Sequence, residues 1–558
     1  MVGILLSKIS LYYHTIKYLK PSQIFWRLRY RIIPLRANLS LCFILKKKEG
    51  HWVLPIEKPQ SFMVDGTFKL LNDSKQLQTI GWDDPNREKL WRYNQHYFDD
   101  LNAIGSSERY YLHIDLMLDW IRYNNLGKGT GWEPYPTSLR IVNWIKWCLS
   151  GNKMPDKCLK SLSTQANWLN RNIEWHILGN HLFANAKALI FAGLFFDNDQ
   201  SKKWLKTGLN ILASEIKEQI LPDGGHFELS PMYHSIILED VLDLINLFRT
   251  FPCKTTNVLL VELQSLAPNM LRWLETMCHP DGKIAFFNDA AFNIAASPDN
   301  ILLYSNRLKI DYKTFPLKQN TPLLKPLSDS GYLALEVCHA KALLDVASIG
   351  PDYLPGHGHA DVLSFELSLF GKRTLVNRGI SQYGTGITRQ RERETSSHNT
   401  VVINNENSSE VWSGFRVAQR ARPFGLMVDQ NKNSIKVSCS HDGYRRLSGR
   451  PVHQRSWSLT NNALLIEDEI QGLFKTATAH FHFHPDIELV SNDIDGCSIK
   501  LPGFKKYVNL VVRKGSPRIV ESIFSPEFGI QLLTKCLEVQ FDGSDKIAVE
   551  ISWAHTSD

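Results

Sequence analysis

Two histidines and a carboxylate lie within five residues of one another in the segment 356–361, Gly-His-Gly-His-Ala-Asp. The apolar and polar residues of 362–369 alternate, which predicts a β-strand with one buried face. Side chains alternate along an extended chain, so we expect His357 and His359 to point to the same side. Two imidazoles directed at one place can transfer protons or hold a metal ion. A polar loop that leads into a strand would explain the same residues, so the motif alone leaves both interpretations open.

The first half of the chain holds two further groups of polar residues. A Gly-Asn pair comes immediately before an apolar helical pattern, which places Asn180 as a helix N-cap. A glycine turn at 223–225 leads into a second predicted helix, with Glu228, Tyr233 and His234 near its start. Neighbouring side chains on a helix point about 100° apart, so Tyr233 and His234 can both line one cavity. Taken alone, a capping role for Asn180 and a buried structural role for His234 are the simpler explanations.

The β-rich half adds a third group of candidates. Three arginines are spaced two residues apart: Arg389, Arg391 and Arg393. In an extended segment they would face one way and clamp carboxylates or sulfates, although a solvated basic face would give the same pattern. We also expect His359, Asn377 and His398 to approach one another on neighbouring strands. Two imidazoles with an oxygen donor would form a small metal site.

The spacing of apolar residues changes along the chain. From about residue 100 to about residue 280 it is helical, with Gly and Pro between successive segments. Several helix pairs in a row predict an all-α array or toroid. After about residue 328, short strand-like runs separated by Gly, Asn and Asp predict an antiparallel β-sandwich. We therefore expect an α+β multidomain protein with a partly helical lead-in at 1–90, a helical domain at 91–325 and a β-domain at 326–558, with a proline-containing linker at Thr314–Ser328.

Length and composition restrict the class of protein. A chain of 558 residues is too long for one ordinary core, and its 43% hydrophobic and 22% charged residues are typical of globular proteins. We expect the net charge of +8 to be spread along the chain, which indicates no nucleic-acid-binding arm but favours a polyanionic ligand such as an acidic polysaccharide. The nine cysteines are scattered without a CxxC pair, so neither a zinc ribbon nor a disulfide framework is predicted.

The N-terminal segment is basic and apolar. Lys8, His14, Lys17 and Lys20 interrupt its apolar residues and no small-residue cleavage site follows, so it is a poor signal peptide. No stretch reaches the ~18 apolar residues of a membrane span. An amphipathic helix at a membrane surface is one interpretation, and an ordinary docked helix is the simpler one. We expect a cytoplasmic location, or a periplasmic one by another export route, and the sequence leaves the oligomeric state open.

Together these groups resemble the heparinase II/III family of polysaccharide lyases, and their pattern is closest to heparinase III and the oligoalginate lyases. The resemblance rests on four short motifs, which occur in this order: Gly179-Asn180-His181, Tyr233-His234, His357-Gly358-His359-Ala360-Asp361 and Ser397-His398-Asn399-Thr400. It implies an incomplete (α/α) toroid joined to an antiparallel β-sandwich, with the active site between them. It also implies an eliminative reaction at a uronic acid, in which loss of the C5 proton breaks the 4-O-glycosidic bond and leaves a 4,5-unsaturated sugar.

The resemblance also assigns roles to residues. The C5 proton is only weakly acidic, so the adjacent carboxylate must be neutralised for the reaction to proceed. By analogy Asn180, with His181 or His234 beside it, binds that carboxylate, and Tyr233 protonates the leaving oxygen or acts as base for one epimer. His357 is then the base for the opposite epimer, or a second contact to the carboxylate. The remaining candidates for substrate contact are Glu228, Arg389, Arg391 and Arg393.

A structural divalent cation, zinc or else calcium or manganese, is a further implication of the resemblance, and no organic cofactor is implied. His359 and His398 match metal ligands of the family. Asn377 stands where the relatives carry Asp, and a neutral amide oxygen binds a divalent cation less tightly than a carboxylate does. Occupancy of the predicted metal site is therefore open.

Two other classes of function remain open. A glycan-binding protein that keeps the lyase fold without turnover would explain the missing Asp. A glycoside hydrolase would need two carboxylates across a cleft, for which Glu228 and Asp289 are candidates. The arginines do not distinguish heparan sulfate from alginate or a capsular polymer, so the sequence also leaves the polymer open.

Overall fold

Helices dominate the N-terminal part of the chain. The computed structural model describes residues 2–32, 44–312, 321–493, 495–504 and 507–553. The α-helices are α1 Val2–Ile16, α2 Pro21–Ile32, α3 Leu77–Ile80, α4 Lys89–Gln95, α5 Tyr110–Tyr123, α6 Pro134–Leu149, α7 Asp156–Arg171, α8 Gly179–Phe195, α9 Asp199–Gln219, α10 Pro231–Thr250, α11 Lys254–Thr276, α12 Pro298–Arg307 and α13 Ile387–Arg393. Within these described ranges, no helix is long and apolar enough to cross a membrane.

Helix α8 is the central element of the helical region. Its residues are apolar or small around almost the whole helix, so it is buried on every side, and it packs against α6, α9 and α10. Helix α10, which carries Tyr233, has Ser230 as its N-cap, and the Ser230 side chain accepts a hydrogen bond from the Tyr233 backbone amide at 3.2 Å. The apolar side chains of these helices form one core, with Trp120 and Trp204 fully buried. The helical organisation predicted for this part of the chain is confirmed.

Strands dominate the C-terminal part, and every ladder between named strands is antiparallel. The strands are β1 Thr67–Leu70, β2 Asp73–Gln76, β3 Leu323–Leu327, β4 Tyr332–Val337, β5 Ala340–Asp345, β6 Phe365–Leu369, β7 Lys372–Leu375, β8 Val401–Ile403, β9 Val411–Trp412, β10 Arg416–Val417, β11 Pro423–Gln430, β12 Ser434–His441, β13 Val452–Thr460, β14 Ala463–Gln471, β15 Ala477–His482, β16 Glu488–Asp493, β17 Gly496–Lys500, β18 Tyr507–Lys514, β19 Ser516–Glu527, β20 Ile530–Gln540 and β21 Lys546–Trp553. This is the sheet-rich half that the sequence predicts.

Three larger sheets share the second core of the molecule. Their strand orders are β3-β4-β5-β6-β7, β19-β20-β15-β8 and β11-β12-β13-β14-β21-β18-β17-β16. Apolar residues from all three sheets pack together, including Leu335 of β4, Phe481 of β15 and Val437 of β12. In the largest sheet Arg455 of β13 lies directly opposite Asp468 of β14, and both are buried.

Two local predictions for the β-rich half need correction. Residues 362–369 do not form one strand with a single buried face, because 362 and 363 belong to a turn and β6 begins only at Phe365. The five residues of β6 are all buried, since β6 lies inside a sheet that is covered on both faces. The predicted linker Thr314–Ser328 is described only in part: residues 313–320 lie outside the described residues, and β3 occupies 323–327.

The loop between α11 and α12 joins the two halves of the molecule. His279 contacts β6 through Nδ1, 2.7 Å from Oγ of Ser368, and through Nε2, 2.7 Å from Oε2 of Glu366. Further along, the amide of Asn288 donates to Oδ2 of Asp361 at 3.2 Å, and its side-chain oxygen accepts from the amide of His359 at 3.0 Å. These contacts tie the loop directly to the 356–361 segment.

Candidate active site

Asp289 lies at the centre of the candidate site, in the loop between α11 and α12. Its Oδ2 is 2.8 Å from Nδ1 of His357, and its Oδ1 is 2.8 Å from Nε2 of His359. Arg389 donates to both carboxylate oxygens, through Nη2 at 2.7 Å and through Nη1. The amide of Asp289 also donates to the carbonyl oxygen of His357 at 3.0 Å. The two histidines of the 356–361 segment therefore share one buried carboxylate.

The 356–361 segment is a turn rather than an extended strand, which corrects the basis of the predicted same-side orientation. A Cβ on Gly358 would lie 2.5 Å from the carbonyl oxygen of Ile349, so only glycine fits there without a shift. The carbonyl of Gly358 accepts from Nε and Nη2 of Arg393 at 3.1 and 2.8 Å. The turn, held in this way, brings both imidazoles to Asp289 by a route that strand periodicity does not provide.

The charge state of Asp289 fixes the protonation pattern of His357. Burial would raise the pKa of Asp289, but the guanidinium of Arg389 and the hydrogen bonds from His357 and His359 outweigh it and hold that pKa well below its usual range. An ionised carboxylate accepts a hydrogen from Nδ1 of His357, and in the neutral tautomer that this contact favours, Nε2 carries the lone pair. A histidine oriented by a carboxylate in this way is the usual arrangement of a general base.

Tyr233 lies against the ring of His357. The two ring centroids are 3.9 Å apart, and the Tyr233 hydroxyl is 2.9 Å from the hydroxyl of Tyr383. Burial raises the pKa of Tyr233 well above its ordinary value, and the neighbouring Tyr383 and Asp289 raise it further. The phenol is therefore protonated at neutral pH. An acidic group and a basic group thus stand side by side, with Tyr233 7% exposed and the His357 side chain 14% exposed.

The N-terminus of α8 forms the adjoining wall. Asn180 is not the N-cap that the sequence predicts, because Leu178 occupies that position and Asn180 lies inside the first turn. The backbone amide of Asn180 donates to Oε1 of Glu228 at 3.3 Å, while Oε2 of Glu228 is 3.5 Å from Nε2 of His357. Among the described residues, no protein group hydrogen-bonds the side-chain amide of Asn180. That side-chain amide is available to a ligand, and Glu228 connects the backbone of Asn180 to His357.

His181 lies beside Asn180 on α8 and remains partly exposed. Its Nδ1 is 3.0 Å from Oε1 of Glu174, and its ring lies 4.4 Å from that of Tyr135. Burial would lower the pKa of His181, but Glu174 outweighs this effect and raises that pKa above its ordinary value. Burial also raises the pKa of Glu228, despite the nearby His357. The structure thus places Asn180, His181, Glu228, Tyr233 and His357 close together.

His234 does not join this group, which corrects its prediction as a catalytic residue. It points into the interface between α10 and α11, where its Nε2 is 3.0 Å from the carbonyl oxygen of Met270 and its ring packs on Trp273 at 4.3 Å. The side chain is fully buried, and burial lowers its pKa to about 3. Neighbouring helical positions point in different directions, so His234 turns into the core where Tyr233 turns to the site.

The prediction that three arginines form one extended clamp for substrate is also wrong. The segment is helix α13, so Arg389 and Arg393 lie one turn apart on a buried face, and Arg391 points to solvent. Arg389 binds Asp289 and the carbonyl of Gly414, and Arg393 binds backbone carbonyls including that of Gly358. Both are fully buried, so they brace the site from behind rather than contact a glycan. Only Arg391 keeps the exposure that substrate contact requires.

The residues predicted to hold a cation lie behind His357. Nδ1 of His359 is 3.2 Å from Nε2 of His398, while its Nε2 is engaged by Asp289. Oδ1 of Asn377 accepts from the amide of Asn399 at 3.2 Å. Among the described residues, no group of three His, Cys, Asp or Glu side chains could hold a metal ion. Two neutral imidazoles already within hydrogen-bonding distance and an occupied amide oxygen do not form a good cation site.

Two functional residues of this site escape sequence reasoning. The sequence offers Asp289 only as a candidate hydrolase carboxylate, and nothing around it in the sequence indicates that it orients two histidines. Tyr383 lies in a loop after β7, with no motif around it, and reaches Tyr233 only through the tertiary fold. Neither residue leaves a periodic or spacing signal, because their partners lie far away in the sequence.

Comparison with known proteins gives a consistent family assignment. Residues 119–319 match the model of the heparinase II/III N-terminus, and residues 319–554 match the heparinase II/III-like, C-terminal model. A heparin-sulfate lyase of Pedobacter heparinus is 28% identical over 323 residues, which are 52% of this chain and 47% of that protein. A heparin-sulfate lyase of Bacteroides stercoris is 28% identical over 367 residues, 58% of this chain and 50% of that protein. The chain thus spans about half the length of these curated relatives.

Solved structures show the same fold at low sequence identity. A heparan sulfate lyase mutant from Pedobacter heparinus has a TM-score of 0.60 at 18% identity, covering 88% of this chain and 81% of that one. A crystal structure of heparinase III has a TM-score of 0.63 at 16% identity, covering 84% and 76%. These likenesses show the fold alone, whereas the two family models together span residues 119–554. The chain belongs to the heparinase II/III family.

Proposed function

We propose that this protein is a polysaccharide lyase that cleaves an acidic, uronic-acid-containing glycan by β-elimination. The observation that carries the proposal is the contact between His357, oriented by Asp289, and the protonated phenol of Tyr233. Elimination needs a base for one proton and an acid for the leaving oxygen within the length of one sugar residue. The heparin-sulfate lyases among the relatives support a glycosaminoglycan as the first substrate to test.

In the proposed reaction, Nε2 of His357 removes the C5 proton of a uronate. The electron pair of that C–H bond forms the C4–C5 double bond, and the bond from C4 to the glycosidic oxygen breaks. Tyr233 donates its phenolic proton to the leaving oxygen, and the proton on His357 later restores the phenol. The products are one chain with a new hydroxyl and one with a 4,5-unsaturated uronate, and no water is consumed.

Asn180 and His181 are proposed to neutralise the uronate carboxylate. The side-chain amide of Asn180 can donate two hydrogen bonds, and Glu174 favours the protonated form of His181 because it raises the pKa of that imidazole. Charge that develops on the carboxylate as C5 loses its proton is stabilised best by fixed donors in a site that excludes water. Glu228 is then a positioning residue, since it holds the Asn180 backbone and lies beside Nε2 of His357.

The finer architecture is part of the same proposal. We infer an incomplete (α/α) toroid within residues 91–325 and an antiparallel β-sandwich within 326–558, with the cleft between them. The burial of α8 among α6, α9 and α10, and the shared core of the three larger sheets, support this division. No step of the mechanism is assigned to a metal ion, because the donors at His359, Asn377 and His398 do not fit one well.

A hydrolase that uses Glu228 and Asp289 is a weaker hypothesis. Hydrolysis needs one carboxylic acid and one carboxylate that both reach the sugar. Asp289 is fully buried behind His357, and Arg389 holds it in its ionised form. It can therefore orient a base but cannot itself contact a glycan.

Product formation on a panel of uronate polymers tests the proposed function. Purified protein is incubated with heparan sulfate, chondroitin sulfate and alginate, and the ultraviolet absorbance of the conjugated double bond is followed. Tyr233→Phe should lower kcat by ~10²–10³-fold, because the phenolic proton is no longer available to the leaving oxygen. Tyr304→Phe, which removes another fully buried phenol from the helical core, serves as the matched control and should leave kcat within a few-fold. Saturable glycan binding that Tyr233→Phe does not change, without any unsaturated product, would instead favour a non-catalytic binding protein.

A further inference from the structure

The positive charge of this chain is concentrated at its N-terminal end. Residues 1–48 contain ten Lys and Arg and no Asp or Glu, whereas the 510 residues that follow contain 54 basic and 56 acidic side chains. The net charge of +8 is therefore +10 on the first segment and −2 on the rest, so the expectation of an even distribution is wrong. A cationic segment on an otherwise nearly neutral protein indicates contact with an anionic surface.

Helix α2 docks on the protein through one face only. Nε2 of Gln23 donates to the carbonyl of Ile177 at 3.4 Å, and the Tyr30 hydroxyl donates to the carbonyl of Ile173. Trp26, on the same face, stacks on Trp175 with ring centroids 6.1 Å apart. At about 100° per residue, Gln23, Trp26 and Tyr30 occupy one side of the helix. The opposite side of α2 is left to solvent.

That opposite side is apolar and is flanked by arginines. The exposed apolar residues of α2 follow helical spacing and are between 42% and 75% exposed: Ile24, Phe25, Leu28 and Ile32. Arg29 lies along one edge of this stripe, and Arg27 and Arg31 lie along the other, and all three are exposed. Apolar side chains bordered by cations on both edges are typical of a helix that lies in the plane of a membrane interface.

Helix α1 has the same organisation. Its docked side includes Thr15, whose hydroxyl accepts from the Trp412 indole at 3.1 Å. Its exposed apolar residues repeat at intervals of three and four and are at least 48% exposed: Ile9, Tyr12, Tyr13 and Ile16. The exposed Lys8 and Lys17 lie at opposite edges of this stripe. Both α1 and α2 therefore have one docked side and an exposed apolar stripe that is bordered by basic residues.

We propose that α1 and α2 together bind the surface of a membrane that contains anionic lipids. Charge complementarity favours this partner, because lipid headgroups offer the negative charge that the lysines and arginines require. The acyl region offers the apolar environment that eight exposed apolar side chains require. An acidic glycan would satisfy the cations but would leave Ile, Leu and Phe side chains in water. The proposal is independent of the proposed lyase activity.

Membrane docking would also orient the candidate site. Helix α2 rests on residues 173–177, which lead directly into the α8 terminus that carries Asn180. Helix α1 rests on the segment that contains Phe415, whose ring lies 6.1 Å from that of His357. The docked helices contact both halves of the molecule next to the site. A membrane-bound protein would therefore hold its cleft alongside the lipid surface.

Co-sedimentation of the full chain with vesicles tests this proposal. Vesicles of phosphatidylcholine alone are compared with vesicles of phosphatidylcholine and phosphatidylglycerol in equal parts. We expect binding to the anionic vesicles only, and weaker binding as salt is added. Leu28→Asp should weaken it by about tenfold or more, because an apolar side chain that would insert into the acyl region is replaced by a charge that the anionic surface repels. Reversal of Arg27, Arg29 and Arg31 to Glu should abolish it.

Matched controls separate this surface from general effects. Leu473→Asp changes a leucine that is even more exposed than Leu28, in the loop after β14. Reversal of Lys432, Lys436 and Lys500 changes two exposed lysines and one partly exposed lysine of the β-rich half. Both controls should bind like the wild type, and circular dichroism should show that every variant is folded. Equal binding by the wild type and the α2 variants, or no vesicle binding at all, would overturn the proposal. Binding of soluble heparan sulfate that needs the arginines but not Leu28, without vesicle binding, would assign the surface to a glycan instead.

Discussion

Replacement of Asp289 by Asn would break the arrangement on which the proposed base depends. The carboxylate accepts from Nδ1 of His357, from Nε2 of His359 and from two nitrogens of Arg389. An amide in its place is neutral and has only one acceptor oxygen. His357 would then no longer be held with its hydrogen on Nδ1, and Nε2 would lose the lone pair that removes the C5 proton.

The expected magnitudes follow from these contacts. A general base that loses its orienting carboxylate costs ~10²–10⁴-fold in kcat. Arg389 is fully buried, so its charge would be left uncompensated, which lowers the free energy of unfolding by about 3–5 kcal/mol. Loss of stability and loss of catalysis would thus coincide in the single variant. The two losses can be separated, because removal of the arginine charge should restore stability without restoring catalysis.

The double variant Asp289→Asn, Arg389→Gln makes that separation. It leaves no buried unpaired charge, so most of the lost stability should return while kcat stays low. Stability is measured by urea unfolding and activity by product absorbance on the polymer that the wild type cleaves. Glu538→Gln is the matched control, since this carboxylate pairs at 2.7 Å with Arg518, whose side chain is 59% exposed, and water can replace the pair. A folded double variant with kcat within a few-fold of wild type would refute the role of Asp289 and, with it, that of His357 as an oriented base.

Two further predictions concern the β-rich half. Asp468→Asn should lower the free energy of unfolding by about 3–5 kcal/mol, because Arg455 would be left buried without its charge partner, whereas Glu467→Gln on the exposed face should change it little. Burial would raise the pKa of Asp468, but Arg455 and His453 outweigh this effect and lower that pKa to about 2. The wild type should therefore lose about 2 kcal/mol of stability as the pH falls from 4 to 2, whereas Asp468→Asn should not. Urea unfolding at several pH values measures both. Asn377→Asp should raise the affinity for zinc by about tenfold or more, since a carboxylate would join the imidazoles of His359 and His398. Calorimetric titration of the two dialysed proteins with zinc measures the difference. Equal affinities would show that Asn377 lies outside any cation site.

The helices and strands of this fold can be predicted from the sequence because they depend on local periodicity. The helices of the N-terminal part follow the spacing of buried apolar residues, and α8 is recognisable as a run of apolar and small residues. The strands of the C-terminal part follow short apolar runs between turn residues. A spacing of two misleads in two segments: it predicts 362–369 as one strand and 389–393 as extended, but the former begins as a turn and the latter is helical.

The sequence predicts residues of the candidate site only where they belong to a short motif. Asn180, Tyr233 and His357 lie in short motifs, and the structure brings all three together. His234 belongs to the same motif as Tyr233 but faces the core, because a motif records residue types and not directions. Asp289 lies 68 residues from His357, and Tyr383 lies 150 residues from Tyr233, so no local pattern connects either pair.

The conformation of the 356–361 segment explains why a correct motif rested on a wrong local structure. Two imidazoles two residues apart would share a direction in a strand, but here the chain turns and the two rings approach one carboxylate through different nitrogens, Nδ1 of His357 and Nε2 of His359. Arg393 holds the turn through the carbonyl of Gly358, and Arg389 keeps Asp289 ionised from the opposite side. Two arginines that looked like a clamp for substrate thus set the geometry and the charge of the proposed base. Both arginines therefore act from behind the site, and substrate recognition has to be sought in groups that they leave free, such as the partly exposed His181 and the side-chain amide of Asn180.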